Sequence, residues 1–355
     1  MKKTARIIKL TIPLCILASA ISSQSLMAVP IAKETGFSGF IAGGVMGMEY
    51  KSNFIAGNAI DDSISNDTIN SLEDEASTES TVLPNFDYNF KYTFAEAETE
   101  IFLGTELLDL LTFDGTTRLG VRKNFSGVGI LGISALASTV PTEVWADPYD
   151  TSKPRQSTER TTTGVAIAWE KIAGSKFDLE VRARKLEIDG GDKSGLNAPY
   201  TGEVAHGLTN EQLNQQLNRE GDLGLLIASY TWNFDNDKHF LRPELRHADY
   251  DLDGQAMKSQ ESELRLNYLY NGANWKLVGV VVASQADFDN INPLFGRKAD
   301  GNAIGAGFTA GYKNPFGWSK KLSLLGTVGA YEFDSDINFF DMTGSVVSLN
   351  ALYRF

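Results

Sequence analysis

The sequence predicts an all-β fold, an antiparallel up-and-down β-barrel of the transmembrane kind with about fourteen strands, twelve or sixteen being the alternatives. Three observations predict it: side chains alternate with a period of two, connections alternate between short and long, and the last strand ends on an aromatic residue. The alternation is clearest over 81–94, TVLPNFDYNFKYTF, where Val82, Pro84, Phe86, Tyr88, Phe90, Tyr92 and Phe94 share one parity and Asn85, Asp87, Asn89 and Lys91 the other. A period of two makes a strand with one apolar and one polar face, and a tilted strand needs only about nine to eleven residues to cross hydrocarbon.

The same signature places strands near 39–51, 81–94, 98–107, 116–124, 127–137, 160–171, 176–188, 222–234, 239–249, 259–270, 275–285, 302–313, 321–333 and 339–355. Short turns fall at Ala95-Glu96, Asn124 to Gly127, Ala173-Gly174, Asp235 to Asp237, Asn271-Gly272 and Asn314 to Gly317, made of residues that tight turns demand. Long polar loops separate them at 52–80, 138–159, 189–221, 250–258 and 286–301, with shorter ones near Asp114 and Asp334. A barrel in a membrane has this asymmetry because one rim carries turns and the other carries elaborated loops, whereas a soluble sandwich has no reason for it. Trp169, Trp232, Trp275 and Trp318 each sit beside a short turn, as interface aromatics do, and only Trp145 falls in a long loop.

The start of the chain reads as an export signal. Lys2, Lys3, Arg6 and Lys9 precede a short apolar run, Leu10 to Ala20, and small residues lead to a cut expected after Ala28, leaving 29–355 as one barrel domain. That cut removes the one cysteine, Cys15, so the mature chain has no thiol for a disulfide or a metal. It also takes away four positive charges and no acidic one, moving the formal charge from −13 to −17. So acidic a chain argues against nucleic acid as a partner, and no later segment is apolar for long enough to make a membrane helix.

The final strand, SVVSLNALYRF, puts Ser345, Val347, Leu349, Ala351, Tyr353 and Phe355 on the lipid-facing parity. Its terminal Tyr353 and Phe355 resemble the signal by which outer-membrane barrels are recognised for insertion. With it, the whole mature chain resembles a porin-type Gram-negative outer-membrane barrel, a narrow monomeric channel more than a large trimeric porin, and is similar to a gammaproteobacterial barrel family of unknown function. It departs from the long-chain fatty-acid transporters, which carry a substantial plug, because only Val29 to Phe37 precede the first strand. The resemblance implies an outer-membrane location, lipid and lipopolysaccharide as surroundings, and periplasmic chaperones and the barrel-assembly machinery as partners. It implies a fold and leaves the solute open.

If the apolar parity faces lipid, the other lines the lumen. That places Arg118, Arg122, Arg182, Arg184, Arg242, Arg246 and Arg265 inward, with Asp87, Lys91, Glu100, Glu106, Glu170, Asp178, Glu180, Glu244, Glu261 and Glu263. Two readings of this wall stand side by side: a transverse field that selects small hydrophilic solutes, or cross-strand pairs that merely stiffen the barrel. Val278, Val280, Val282, Val128 and Ile130 fall on the inward parity without being polar, which means either a greasy lumen patch, an inserted loop, or a register off by one.

In the loop 189–221, Thr209 and Gln212 have capping-box spacing, so a short helix should begin there, with Leu213 and Leu217 on one face. That helix is either a lid over the outer mouth or an excursion packed on neighbouring loops. Asp61, Asp62, Asp67, Glu73, Asp74, Glu75 and Glu79 crowd the first long loop with no calcium-loop spacing, so no metal and no cofactor are expected. Of the three histidines, His206, His239 and His247, only His247 with an outward serine has the makings of a lipid-hydrolase pair, and no nucleophile motif supports it. The expected function is therefore a non-catalytic diffusion channel, with a structural or receptor barrel and a surface hydrolase as the alternatives.

Overall fold

A computed structural model describes residues 30–58, 67–73, 76–106, 115–198 and 207–355 of the chain. The expected export signal with Cys15, the loop residues Asp61, Asp62, Asp74 and Glu75, the connection at Asp114, and His206 lie outside the described residues.

Each period-two segment forms a strand, and the strands join into one antiparallel sheet. In chain order they are β1 (Gly36–Lys51), β2 (Ile55–Asn58), β3 (Thr78–Phe94), β4 (Thr99–Glu106), β5 (Gly115–Phe125), β6 (Gly129–Val140), β7 (Thr142–Trp145), β8 (Ser157–Glu170) and β9 (Phe177–Ile188). They continue with β10 (Gly221–Tyr230), β11 (Trp232–Phe234), β12 (His239–Leu252), β13 (Ser259–Asn271), β14 (Trp275–Phe288), β15 (Gly301–Lys313), β16 (Leu322–Ser335) and β17 (Met342–Arg354). β2 and β7 are short and pair with each other in the loops, and β11 continues β10 past Thr231, so the wall has fourteen strands. The sheet closes because β1 pairs with β3 on one side, Phe40 opposite Asn89, and with β17 on the other, Phe40 opposite Arg354. Closure satisfies every edge, the condition for strands to lie in lipid.

Register follows the hydrophobic pattern. Val82, Leu245 and Leu349 stand 74%, 64% and 66% exposed on the outside, where the alternation assigns them to lipid. Val278, Val280 and Val282 are buried inside, so the register across 275–285 holds and the lumen does have an apolar stretch. Ile130 is also buried, but Val128 is not a lumen residue: it lies in the turn between β5 and β6, exposed, with its N–H bonded to the Phe125 carbonyl. The strands begin or end up to four residues away from the expected limits. β12 runs on to Leu252 and β14 to Phe288, because pairing continues past the apolar band into the polar rim, where periodicity fades.

The six short turns gather at one rim, and so do the outward Trp169, Trp232, Trp275 and Trp318. Trp169 donates its indole N–H to the Val128 carbonyl at 2.9 Å, Trp275 packs on Tyr312 with centroids 4.9 Å apart, and Phe316 packs on Trp318 at the same distance. Both chain ends of the barrel lie at this rim, where Phe355 stacks on Phe37 at 5.3 Å and on Phe90 at 6.0 Å. Trp145, the exception to the collar, is buried at the opposite rim.

Candidate functional site: a charged lumen beneath a loop cap

Inward-facing side chains from β3 to β13 build a network of ion pairs. Lys91 lies 3.5 Å from Glu100, which holds Arg122 at 3.0 Å, and Arg122 in turn reaches Glu170 at 2.9 Å. Arg118 pairs with Glu180 at 3.1 Å, while Arg182 bridges Glu180 and Glu106, each at 2.6 Å. Arg242 sits 3.4 Å from Asp178 and 3.2 Å from Glu244, and Glu263 takes Arg246 at 3.3 Å and Arg265 at 3.0 Å. Arg184 adds its charge beside Glu106, Glu261 accepts a hydrogen bond from Ser284, and Asp87 accepts one from the Thr105 hydroxyl.

Several of these pairs are not between neighbouring strands. Going from Glu106 on β4 to Arg182 on β9 means passing β5, β6 and β8, about 19 Å around the sheet at ~4.8 Å per strand. Only a chord across a curved wall lets the two side chains meet. The strands beneath make room: Gly132 and Ser134 on β6 and Ala166 and Ala168 on β8 point inward with little bulk. Arg118 is steadied by Ser134, to which its Nε donates at 2.7 Å, and by the Phe102 ring, 5.7 Å away. A cavity of about 170 Å³ runs along this wall, lined by Lys91, Arg118, Arg122, Arg182, Arg242 and the carboxylates that face them.

The long loops meet above it. Phe54 and Ile69, Tyr149, Leu217, Met257, Phe295 and Phe339 with Phe340 come from six different connections around the rim and form one apolar cluster. Elements attached all round a cylinder touch one another only across its opening, so this cluster is a cap. Tyr149 stacks on Phe339 at 5.3 Å, and Phe54 packs on Phe340 at 4.8 Å. The helix α1 (Asn210–Leu217) forms where expected: Thr209 Oγ1 accepts from the Gln212 N–H at 3.2 Å and Gln212 Oε1 from the Thr209 N–H at 2.8 Å. Leu213 and Leu217 are wholly buried, so the loop is packed into the cap. Gly254 permits the fit, since a Cβ there would stand 2.4 Å from the Asn218 nitrogen.

Polar anchors fix the cap. The buried Arg219 guanidinium donates to Asp192 at 2.7 Å and to the Trp145 carbonyl at 2.8 Å. Burial pushes the Asp192 carboxyl up, but Arg219 and the surrounding donors outweigh it and hold it below the usual aspartate range. Asp147 accepts from the Gly195, Asn197 and Tyr149 N–H groups, and burial nevertheless raises its carboxyl above the usual value. Arg155 lies over the Trp145 ring at 4.6 Å and donates to the Asn53 and Pro148 carbonyls at 3.0 and 3.2 Å; burial brings its pKa down to about 10.

Every inward charge expected from the parity faces the lumen, and most are brought together. What the sequence did not show is the cap with Trp145, Arg155, Asp192 and Arg219. The available signal was the misplaced tryptophan and one arginine in each of two long loops. His239 contacts the Tyr268 hydroxyl at 2.7 Å in the aromatic collar, and His247 Nδ1 lies 3.2 Å from Ser262 Oγ on the outward face. Among the described residues no group of three or more His, Cys, Asp or Glu is arranged to hold a metal ion.

A closed antiparallel cylinder with an apolar outside, an aromatic collar and a charged inside defines the class, a membrane-spanning β-barrel. The chain belongs to the family described as protein of unknown function DUF2860, whose model matches residues 36–354, from the first residue of β1 to the last of β17. No curated protein matches it. Among solved structures it is similar to a Pseudomonas aeruginosa FadL homologue, with 13% identity, 91% of this chain and 92% of that one covered, and a TM-score of 0.47. It is also similar to the outer membrane channel DcaP of Acinetobacter baumannii, with 11% identity, coverage of 91% and 97%, and a TM-score of 0.41. The outer membrane protein OmpT of Vibrio cholerae shares 11% identity over 92% of this chain and 100% of that one, with a TM-score of 0.39. Likenesses of that size carry no solute or activity over to this chain.

Proposed function

We propose that this protein is a monomeric, non-catalytic channel of the Gram-negative outer membrane, passing small hydrophilic solutes through the charged lumen when the loop cap is open. Its turns would face the periplasm and its cap the exterior, with lipopolysaccharide around the outer rim and the barrel-assembly machinery reading Tyr353 and Phe355. The observation that carries the reading is the segregation of charge: the arginines and carboxylates of β3 to β13 point inward, with Arg118, Arg122, Arg182 and Arg242 lining the cavity, and the outside of the same strands is apolar. Such a wall offers a passing ion or dipole both signs of partner in place of its hydration shell.

Planar-bilayer recording tests this. The wild-type protein should give stepwise potassium chloride currents, and Arg182→Glu, which sets a third carboxylate between Glu106 and Glu180, should shift selectivity toward cations. Currents whose selectivity ignores that reversal would remove the lumen from the account.

The close packing of the cap favours one other reading, a barrel that acts as a receptor or scaffold through its loops; a barrel silent in bilayers even with the cap removed would support it. Catalysis is the weaker reading. His247 and Ser262 lie on neighbouring strands among outward leucines, and the strand N–H groups around them are engaged in the ladder, leaving none to stabilise an oxyanion.

A further inference from the structure

The lumen has two unlike walls. All of the lumen ion pairs described above lie on β3 to β13. On the other five strands, β14 to β17 and β1, most inward positions are apolar or small: Val278, Val280 and Val282, then Leu325, Leu352 and Phe40, all buried, with Tyr50, Tyr331 and Asn350 as the uncharged exceptions. Hydroxyls on this side satisfy one another, as Thr309 and Thr327 do at 2.7 Å. Asn85 and Asn350 do the same at 3.0 Å across β1, where Gly44 leaves the gap, since a Cβ there would stand 2.5 Å from Asn350 Oδ1.

No described inward position of these five strands is acidic. Their charged inward residues are Lys276, Lys313 and Arg354, and all three sit at the turn-bearing rim, on β14, β15 and β17. Arg354 donates to Ser323 at 3.1 Å and Lys313 to the Gly272 carbonyl at 2.7 Å, and both act on Lys276 as like charges. The apolar wall thus ends, at one rim only, in a basic cluster.

We propose that the solute is an amphipathic organic anion, a molecule with a hydrocarbon or aromatic body and one carboxylate, sulfonate or phosphate, whose body travels along the β14 to β1 wall and whose anionic end meets Lys276, Lys313 and Arg354. This rests on the channel reading above and replaces its purely hydrophilic solute with an amphipathic one. A bare inorganic ion gains nothing from half of the wall, and a neutral hydrocarbon must slide past the ion pairs of the other half. An amphipathic cation fits the body but is repelled by the basic end. A molecule apolar along its length and anionic at one end matches both features.

The test is block of the potassium chloride current by octane-1-sulfonate, which stays ionised at all working pH values, against methanesulfonate and octyltrimethylammonium. It uses full-length protein in planar bilayers, with the cap opened either by deleting 205–218 or by Phe339→Ala, so that one unfolded variant does not decide the outcome. Octane-1-sulfonate should reach half-block at a concentration at least tenfold below either control. Lys276→Gln with Arg354→Gln should raise that concentration several-fold, and Val280→Asp should do so through the apolar wall. Equal block by methanesulfonate or by the cation, with the potassium chloride current present, overturns this inference and leaves the channel standing. The absence of any current from both opened proteins overturns the channel, and the solute class with it.

Discussion

In the charged wall Arg182 and Arg122 each pair with two carboxylates, and in the cap Arg219 pairs with one. Arg182 pairs with Glu106 and Glu180 and Arg122 with Glu100 and Glu170, all held on strands whose backbones are tied into the ladder on both sides. Arg219 has a single ion-pair partner, Asp192, and it joins loop segments whose backbone ties are short, β7 pairing with β8 over four residues. The wall is redundant and rigid, and the cap depends on a few anchors. Segments held by short ladders and single turns open at lower free energy than the long ladders of the sheet that carries them, so the cap is expected to open before the wall.

Asp192→Ala separates the two regions most sharply. It leaves the Arg219 charge buried without its carboxylate, a loss of about 3–5 kcal/mol, and that loss falls on the cap alone. Limited proteolysis should cut the loops of the variant quickly while the barrel keeps its heat-resistant fold. Loss of the barrel as well would mean that cap and wall are one cooperative unit.

Acid should act on the same anchor. Because the folded-state pKa of Asp192 is depressed, its contribution is complete above the ordinary aspartate pKa of about 3.9 and is lost as pH falls through the lower folded value. Asp147, raised by burial, works in the opposite sense and modestly favours the packed cap as pH falls toward that ordinary value. Protease sensitivity of the loops should therefore stay flat down to about pH 4 and climb below it. A climb that begins near neutrality would assign the opening to other groups. The smallest effect is expected from Thr209→Ala, which removes the capping box of α1 for about 1 kcal/mol, visible as faster amide exchange over 210–217 and nowhere in the barrel.

How far the sequence shows this structure depends on the range of the interaction. Strand positions and lumen residues follow from a period of two, which is a local property, and directly opposed pairs such as Arg246 and Glu263 follow from register. The chord from Glu106 to Arg182 does not, because it needs the curvature of the wall and the small side chains on β6 and β8. The cap is further out of reach. Asn53 donates to the Phe339 carbonyl at 3.2 Å across 286 residues of sequence, and lone aromatics such as Tyr149 and Phe295 in polar loops have no periodicity to mark them. α1 is the instructive intermediate: its cap residues are local and could be read, but what its leucines pack against could not. The apolar wall was visible as three valines on the wrong-seeming parity, and its meaning appeared only when the register held.

The central claim, lipid outside and solute space inside beneath a cap, is tested most directly by thiol labelling, since the sole cysteine, Cys15, lies in the expected export signal. Single cysteines at Lys153 in the loops, Ala168 in the cavity wall and Leu245 on the outward face would be challenged in intact cells with a membrane-impermeant maleimide. The account predicts prompt labelling at 153, labelling at 168 that is slow until Phe339→Ala opens the cap, and none at 245. Labelling at 245 as fast as at 153 would contradict it.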